Sequence, residues 1–375
     1  MHSKFGARWW CTRAGWLIAG VCCGAIAAPR PVILASGFDH PWGVSFLPEG
    51  RFLVTERPGR LRMVEADGKL GAAVTGLPAI AAGGQGGLLD VLVDSAFVRN
   101  RTVYFCFSEP EVGGGSANST ALASAQLSAD RSRLEGLKIL FSQKPKFASR
   151  SHFGCRIVES GDGNLFLTLG DRFSRKEDAQ TLDNHHGKVI RIRKDGTVPN
   201  DNPFVGKAGA LPEIWSYGHR NGQGAALASD GRFWMTEHGP QGGDEINVAQ
   251  AGRNYGWPVI TYGENYGGGK IGDGLTAKDG MEQPLHYWVP SIAPSGMTFL
   301  TSDRYGAGWK GNLFVGSLKF GYLDRIELKN GKVVAEHKLL QEGRARIRDV
   351  KQGPDGLLYV LTDESNGQLI RLMPD

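Results

Sequence analysis

Residues 354–372 read PDGLLYVLTDESNGQLIRL. A Pro-Asp-Gly turn leads into a short alternating apolar strand, and a second turn at Ser365-Asn366-Gly367 leads into another. Asp-Gly hairpin turns and period-two apolar alternation are the signature of one small antiparallel sheet. The same phrase recurs along the chain. It appears as Pro48-Glu49-Gly50 before RFLVTERPGRLRMVEADG, Gly161-Asp162-Gly163 before NLFLTLGD and Ser229-Asp230-Gly231 before RFWMTEHG. Lys310-Gly311 before NLFVGSLKFGYLDRIEL repeats it, and Thr102–Phe107 (TVYFCF) supplies a sixth strand without the glycine turn. The copies lie near residues 50, 101, 163, 231, 311 and 356. Six small sheets bury both faces when packed radially, which leaves only short protected edges. The expected fold is all-β, a six-bladed β-propeller; a pair of packed sheets is the alternative architecture.

Composition agrees. Of 375 residues, 54 are glycine, about twice the usual share, in clusters between apolar runs as turns require. At 41% hydrophobic and 22% charged, the chain has material for a large core, and its length excludes a disulfide-stapled mini-domain. Residues 1–27 read as a secretion signal. Lys4, Arg8 and Arg13 precede an apolar run from Trp16 to Ala28, too short to span a bilayer, and Ala25-Ile26-Ala27 fits a signal-peptidase site. Residues 28–375 are then one propeller, since no stretch among them resembles a linker. Removing those three cations from 43 leaves 40 basic against 38 acidic residues. A balance this close to neutral gives no global reason to bind nucleic acid. Cys106 and Cys155 are the two cysteines left. An oxidising compartment permits their pairing, but both lie in strand-like runs, so a disulfide and two buried thiols stay open.

Polar clusters stand where strands end. Gln85 is the lone side chain in Gly83-Gly84-Gln85-Gly86-Gly87, where backbone and amide can approach a ligand closely. His152 leads into a strand and suits general-base chemistry near neutrality. Arg220 and Asn221, in YGHRNGQG, set a fixed cation beside an amide donor, a pair that grips a carbonyl or oxyanion. His185 and His186 read as structural. Glu237 to Asn247 (EHGPQGGDEIN) mixes carboxylates, amides and free carbonyls among glycines, which suits a hard cation such as Ca²⁺, although the EF-hand spacing is absent. Lys319, Arg346 and Arg348 are a cation set; the two arginines share a strand face, an unfavourable placement unless an anion neutralises them.

Taken in order, HPWG, GGQGGLL, HFG-R, YGHRN-QG, EHGPQGGDEIN, NYGWP and R-x-R-D resemble the soluble pyrroloquinoline quinone (PQQ)-dependent sugar dehydrogenases, most closely the aldose sugar dehydrogenase branch. The resemblance runs from residue 40 nearly to the end and implies a six-bladed propeller. It implies oxidation of the anomeric carbon of aldoses to lactones, with hydride transferred to PQQ. It places the catalytic base on His152, the Arg-Asn pair beside the quinone on Arg220 and Asn221, and the cofactor's glutamine on Gln85. Lys319, Arg346 and Arg348 match the cations for the three PQQ carboxylates, and Tyr266 and Ser317 match further positions of the cofactor pocket. A bridging Ca²⁺ falls on the carbonyls of Gly239 and Pro240, and a second on Glu245 and the carbonyl of Tyr255. One departure matters: the family's glucose dehydrogenases place an aspartate before the histidine, where Ser151 stands here, so broad aldose oxidation is expected over a preference for glucose. The expected partners are aldose sugars and an external electron acceptor, with no nucleic acid and no stable membrane insertion. The chain is expected to act as a monomer or homodimer, periplasmic or secreted. A calcium-dependent propeller lactonase has no use for three clustered cations, and a non-enzymatic binding propeller leaves Gln85, His152 and Arg220-Asn221 without purpose.

Overall fold

The computed structural model describes residues 1–2 and 28–374; the secretion-signal reading falls almost wholly on residues 3–27, outside the described ones. Six four-stranded antiparallel sheets make up the molecule. Residues 41–74, 88–142, 154–217, 222–288 and 294–339 form the first five in chain order. The sixth takes Ile347–Gln352, Leu358–Thr362 and Gly367–Met373, and its outer edge is the N-terminal strand Arg30–Phe38. That pairing closes the ring between the two ends of the chain. The first strand of each sheet packs against the first strand of the next, around to the start. The six-bladed propeller is therefore as expected. No helix among the described residues is long and apolar enough to cross a membrane.

The recurring phrase marks the second strand of each blade. Phe52–Glu56, Phe233–Glu237 and Leu358–Thr362 are buried along their whole length, because each blade is covered on both faces by its neighbours. The outermost strand Lys332–Leu339 instead alternates exposed and half-buried positions. The turns before the second strands need left-handed residues, and Gly163, Gly231 and Gly356 supply them with φ of 81°, 81° and 79°.

The innermost strands carry a feature the repeat does not announce. All six break register near their first residues: Pro41/Val44, Leu88/Val91, Gly154/Ile157, Gly222/Gly224, Pro294/Met297 and Ile347/Asp349. A bulge leaves a backbone group unpaired and re-aims side chains. Threonines of the second strands take up part of that cost. The Arg156 N–H donates to Thr168 Oγ1 at 3.0 Å, and that hydroxyl donates to Gly222 O of the next blade at 3.0 Å. Thr236 reaches Ser295 O likewise, at 3.1 Å.

The third residues of these strands meet on the propeller axis. Arg156 lies 3.1 Å from both Asp90 and Asp349, all three buried. Glycines stand at the other three positions because there is no room for more: a Cβ on Gly296 would lie 2.1 Å from Asp349 Oδ1, and one on Gly43 2.8 Å from Asp90 Oδ1. The charged triad thus plugs the channel below the mouth.

Cys106, in the second blade, and Cys155, in the third, form a disulfide with their Cα atoms 5.8 Å apart; of the two states the sequence left open, the bonded one is found. It anchors the strand start three residues after His152. Replacing both cysteines by alanine is expected to lower unfolding free energy by about 2–4 kcal/mol, measurable by denaturant titration.

Candidate active site

The bulged strand starts and the loops above them surround a cavity of about 390 Å³. Gln85, Lys319, Arg346 and Arg348 are in its wall, joined by Trp42, Arg57, Phe153, Gly154, Gln223 and His238. A second cavity of about 10 Å³ lies beside it, with Arg220, Glu237, Gly239, Glu245, Tyr255 and Trp257 around it; that is room for one water-sized particle. His238 borders both. Of the residues singled out from sequence, Gln85, Lys319, Arg346 and Arg348 share the larger cavity and Arg220, Gly239, Glu245 and Tyr255 the smaller, while His152, Asn221, Pro240, Tyr266 and Ser317 are in the wall of neither.

His152 is 5% exposed with φ of 52°, a left-handed conformation that a histidine holds only when its surroundings fix it. Its N–H donates to Gln85 Oε1 at 2.8 Å. Two residues on, the Gly154 N–H donates to Asn221 Oδ1 at 3.0 Å. Gln85 and Asn221 thus hold the histidine segment through their carbonyls, which leaves amide N–H groups for a ligand. His152 Nδ1 lies 2.6 Å from Asp171 Oδ1. A carboxylate only accepts, so Nδ1 carries the proton and Nε2 presents a lone pair. Burial, the largest influence, and the charges of Arg220 and Arg172 hold the imidazole below its ordinary 6.5, against the opposing pull of Asp171. It is neutral near pH 7.

Arg220 is 4% exposed. Its guanidinium donates to His238 O at 3.1 Å and approaches the Tyr266 hydroxyl at 3.4 Å. Among the described residues no carboxylate lies within salt-bridge distance of it. Tyr266 is 64% exposed and stands at the mouth. Ser317 is buried; its hydroxyl donates to Ile292 O at 2.8 Å and accepts from the Phe320 N–H at 3.2 Å, so it fixes the Lys319 loop and is not in the cavity wall.

The arginine pair has its own anion, which the sequence reading did not provide for. Arg348 lies 2.6 Å and Arg346 3.3 Å from Asp363. Burial pushes that carboxyl up, but Arg348 overrides it and brings it to about 2. One carboxylate does not neutralise the wall, since Arg57 and Lys319 add two further cations. His185 and His186 are buried against Glu213 and Asp178, the structural role expected of them.

Asp171, Asp363, Arg57 and Trp42 were not singled out as site residues; Trp257, in the NYGWP turn, reads from sequence as either core or the wall of a flat ligand's slot. A signal for the acids exists: second strands end in acid as FLVTE, FWMTE, LYVLTD and, one glycine later, NLFLTLGD. Glu56, Glu237, Asp363 and Asp171 thereby reach the mouth, where Glu237 pairs with His219 at 2.9 Å as Asp171 pairs with His152.

Residues 38–371 match the family model described as Glucose / Sorbosone dehydrogenase. The chain belongs to this family. It is an oxidoreductase of the sugar dehydrogenase type. The aldose sugar dehydrogenase YliI of Escherichia coli strain K12 is 43% identical over 354 residues, 93% of this chain and 94% of that one. The crystal structure of the soluble aldose sugar dehydrogenase from Escherichia coli in its apo form has TM-score 0.88 at 42% identity, covering 92% and 99% of the two chains. The PQQ-bound form of an aldose sugar dehydrogenase from Streptomyces coelicolor has TM-score 0.73 at 25% identity, again covering 92% and 99%.

The residues present fit the family's groups. A buried guanidinium without a counter-charge is costly unless an anionic or electron-rich oxygen meets it, and among the described residues Arg220 Nε is buried with no protein partner. Four cations against one carboxylate suit a tricarboxylate. At the small cavity, burial and the charge of Glu237 push Glu245 up to about 8, so a cation there would relieve two crowded carboxylates.

Proposed function

We propose that the chain oxidises the anomeric carbon of aldose sugars to lactones, in the periplasm or outside the cell, with PQQ and Ca²⁺ as cofactors and an external electron acceptor. The observation that carries this reading is a buried His152 whose Nδ1 is held by Asp171, beside the buried cation Arg220, which has no carboxylate within salt-bridge distance among the described residues. When bound, PQQ supplies an electrophilic quinone able to accept hydride, and Ca²⁺ supplies a Lewis acid beside it.

The chain's own residues do the rest. Lys319, Arg346 and Arg348, with Arg57, hold the carboxylates. Gln85 and Asn221 turn their amide N–H groups to the ligand, and Tyr266 closes over it at the mouth. Ser317 acts through the loop it fixes. The carbonyls of Gly239 and Pro240 would hold one Ca²⁺, and Glu245 with the Tyr255 carbonyl a second. His152 Nε2 takes the proton of the anomeric hydroxyl, and Asp171 stabilises the imidazolium that forms. Arg220 offers positive charge where negative charge develops. The lactonase reading has no use for the cation cluster of Lys319, Arg346 and Arg348.

The test is a sugar panel with the purified chain, PQQ, Ca²⁺ and a redox dye. Dye reduction should require both PQQ and an aldose and should not single out glucose. The pH dependence is a further expected outcome. A base must be unprotonated, so kcat/KM should rise with pH through an acid limb whose midpoint lies below 6.5 and stay level above it. A midpoint above 6.5 would remove His152 from the role.

A further inference from the structure

Trp257 is 7% exposed and touches both members of the proposed machinery. Its indole N–H donates to Asp171 Oδ2 at 2.7 Å, while Asp171 Oδ1 faces His152. The Arg220 guanidinium lies 5.2 Å from the centroid of the same ring, within cation–π range. The indole is itself fixed. The Trp257 N–H donates to Gly218 O at 2.9 Å, and its carbonyl accepts from Gln180 Nε2 at 2.7 Å. Gln180 and Asn254 exchange amide hydrogen bonds below it, and Ala179 and Ile271 pack against it. The Asp171 N–H donates to Arg220 O at 2.9 Å, so a single rigid unit joins the carboxylate, the indole and the guanidinium.

We infer that Trp257 is a positioning residue that sets the orientation of the His152–Asp171 pair relative to Arg220. The inference rests on the catalytic reading of His152 given above. Asp171 is fully buried, and without the indole donor its second oxygen is left an unsatisfied charged acceptor. The carboxylate is then free to turn away from Nδ1. Functional groups must be held within about 0.5 Å of productive geometry by such supports.

Trp257→Phe keeps an aromatic face for Arg220 and deletes only the donor. It should lower kcat about 10–100-fold with aldose KM and PQQ affinity within about two-fold of wild type. Because Trp257 acts through Asp171, the loss should not multiply with that of Asp171→Asn in a double-mutant cycle. NMR of the chain without cofactor gives a readout independent of turnover. His152 is faced by Asp171, Arg172, Arg220 and His238. Once the carboxylate can turn from Nδ1, the pull that opposes burial weakens, so the His152 titration should move further downward in Trp257→Phe. In the Trp257-containing chain, Asp171→Asn should shift the Trp257 indole N–H resonance. Multiplying losses, an unmoved His152 titration or an unmoved indole resonance would each overturn the inference. Failure of the wild-type chain to oxidise any aldose would strike the catalytic reading alone, because the NMR arms do not depend on it.

Discussion

His152→Ala is expected to lower kcat by about 10²–10⁴-fold and to leave PQQ binding intact. The size follows from what a positioned base contributes to proton transfer. The retention of binding follows from where the residue sits: the cations that would hold the cofactor's carboxylates, Lys319, Arg346 and Arg348, are carried by the fifth and sixth blades. His152 precedes the third. The truncation opens a small space beside Asp171, Phe173 and Gln85 and removes no residue of the cavity wall. Steady-state kinetics on PQQ-saturated variant and wild type, with PQQ affinity from absorbance titration, check both halves. Asp171→Asn should fall in the same direction, because an amide can donate to Nδ1 and reverse the tautomer that leaves Nε2 free. Equal turnover by PQQ-saturated His152→Ala and wild type would remove the histidine from the chemistry.

The second large effect belongs to the fold. Arg156→Met should cost about 3–5 kcal/mol of stability, the range for breaking a buried ion pair by deleting one partner. Arg156 is 1% exposed and is the shared partner of Asp90 and Asp349 on the axis. It also donates to Gln223 O at 2.8 Å and to Arg348 O at 3.3 Å, and its guanidinium lies 4.1 Å over Trp42 in the cavity wall. The methionine fills similar space but leaves two buried carboxylates facing each other. Burial, the largest influence, already raises the Asp349 carboxyl above its ordinary value even with Arg156 present. A carboxyl with a raised folded-state pKa favours folding as pH falls, so the variant's deficit should shrink in acid as Asp349 protonates. Denaturant unfolding at two pH values tests this. A loss under about 1 kcal/mol at both would show that the triad contributes little to holding the ring.

The second strands of five blades were legible because each pairs an Asp-Gly or Gly turn with a run of apolar residues, as burial on both faces demands; in the second blade only the apolar run of Thr102–Phe107 shows. The innermost strands were not legible. PWGVSF, GQGAAL, PSGMTF and IRDVKQ place glycine or charge at the third position, where three blades supply charged groups to the axis and three make room for them. Read locally, those residues look like loop. The closing strand Arg30–Phe38 was also invisible, since its partner lies at the other end of the chain. Among site residues, His152, Arg220, Asn221 and the cations announced themselves by position and charge. Their partners did not: Asp171 acquires meaning only when the third blade brings it to His152. Asp363 does so only across a hairpin from Arg346 and Arg348. Cys106 and Cys155 were equally silent, because only the contact between two blades sets their separation.

On this reading the site transfers a hydride from an aldose to PQQ held by the cation cluster. Its most direct test is anaerobic: load the purified chain with PQQ and Ca²⁺, add one equivalent of an aldose with no dye, and follow the cofactor's absorbance. The oxidised spectrum should convert to the reduced one with one lactone formed per PQQ, and should not convert in His152→Ala. An unchanged spectrum with PQQ demonstrably bound would contradict the reading.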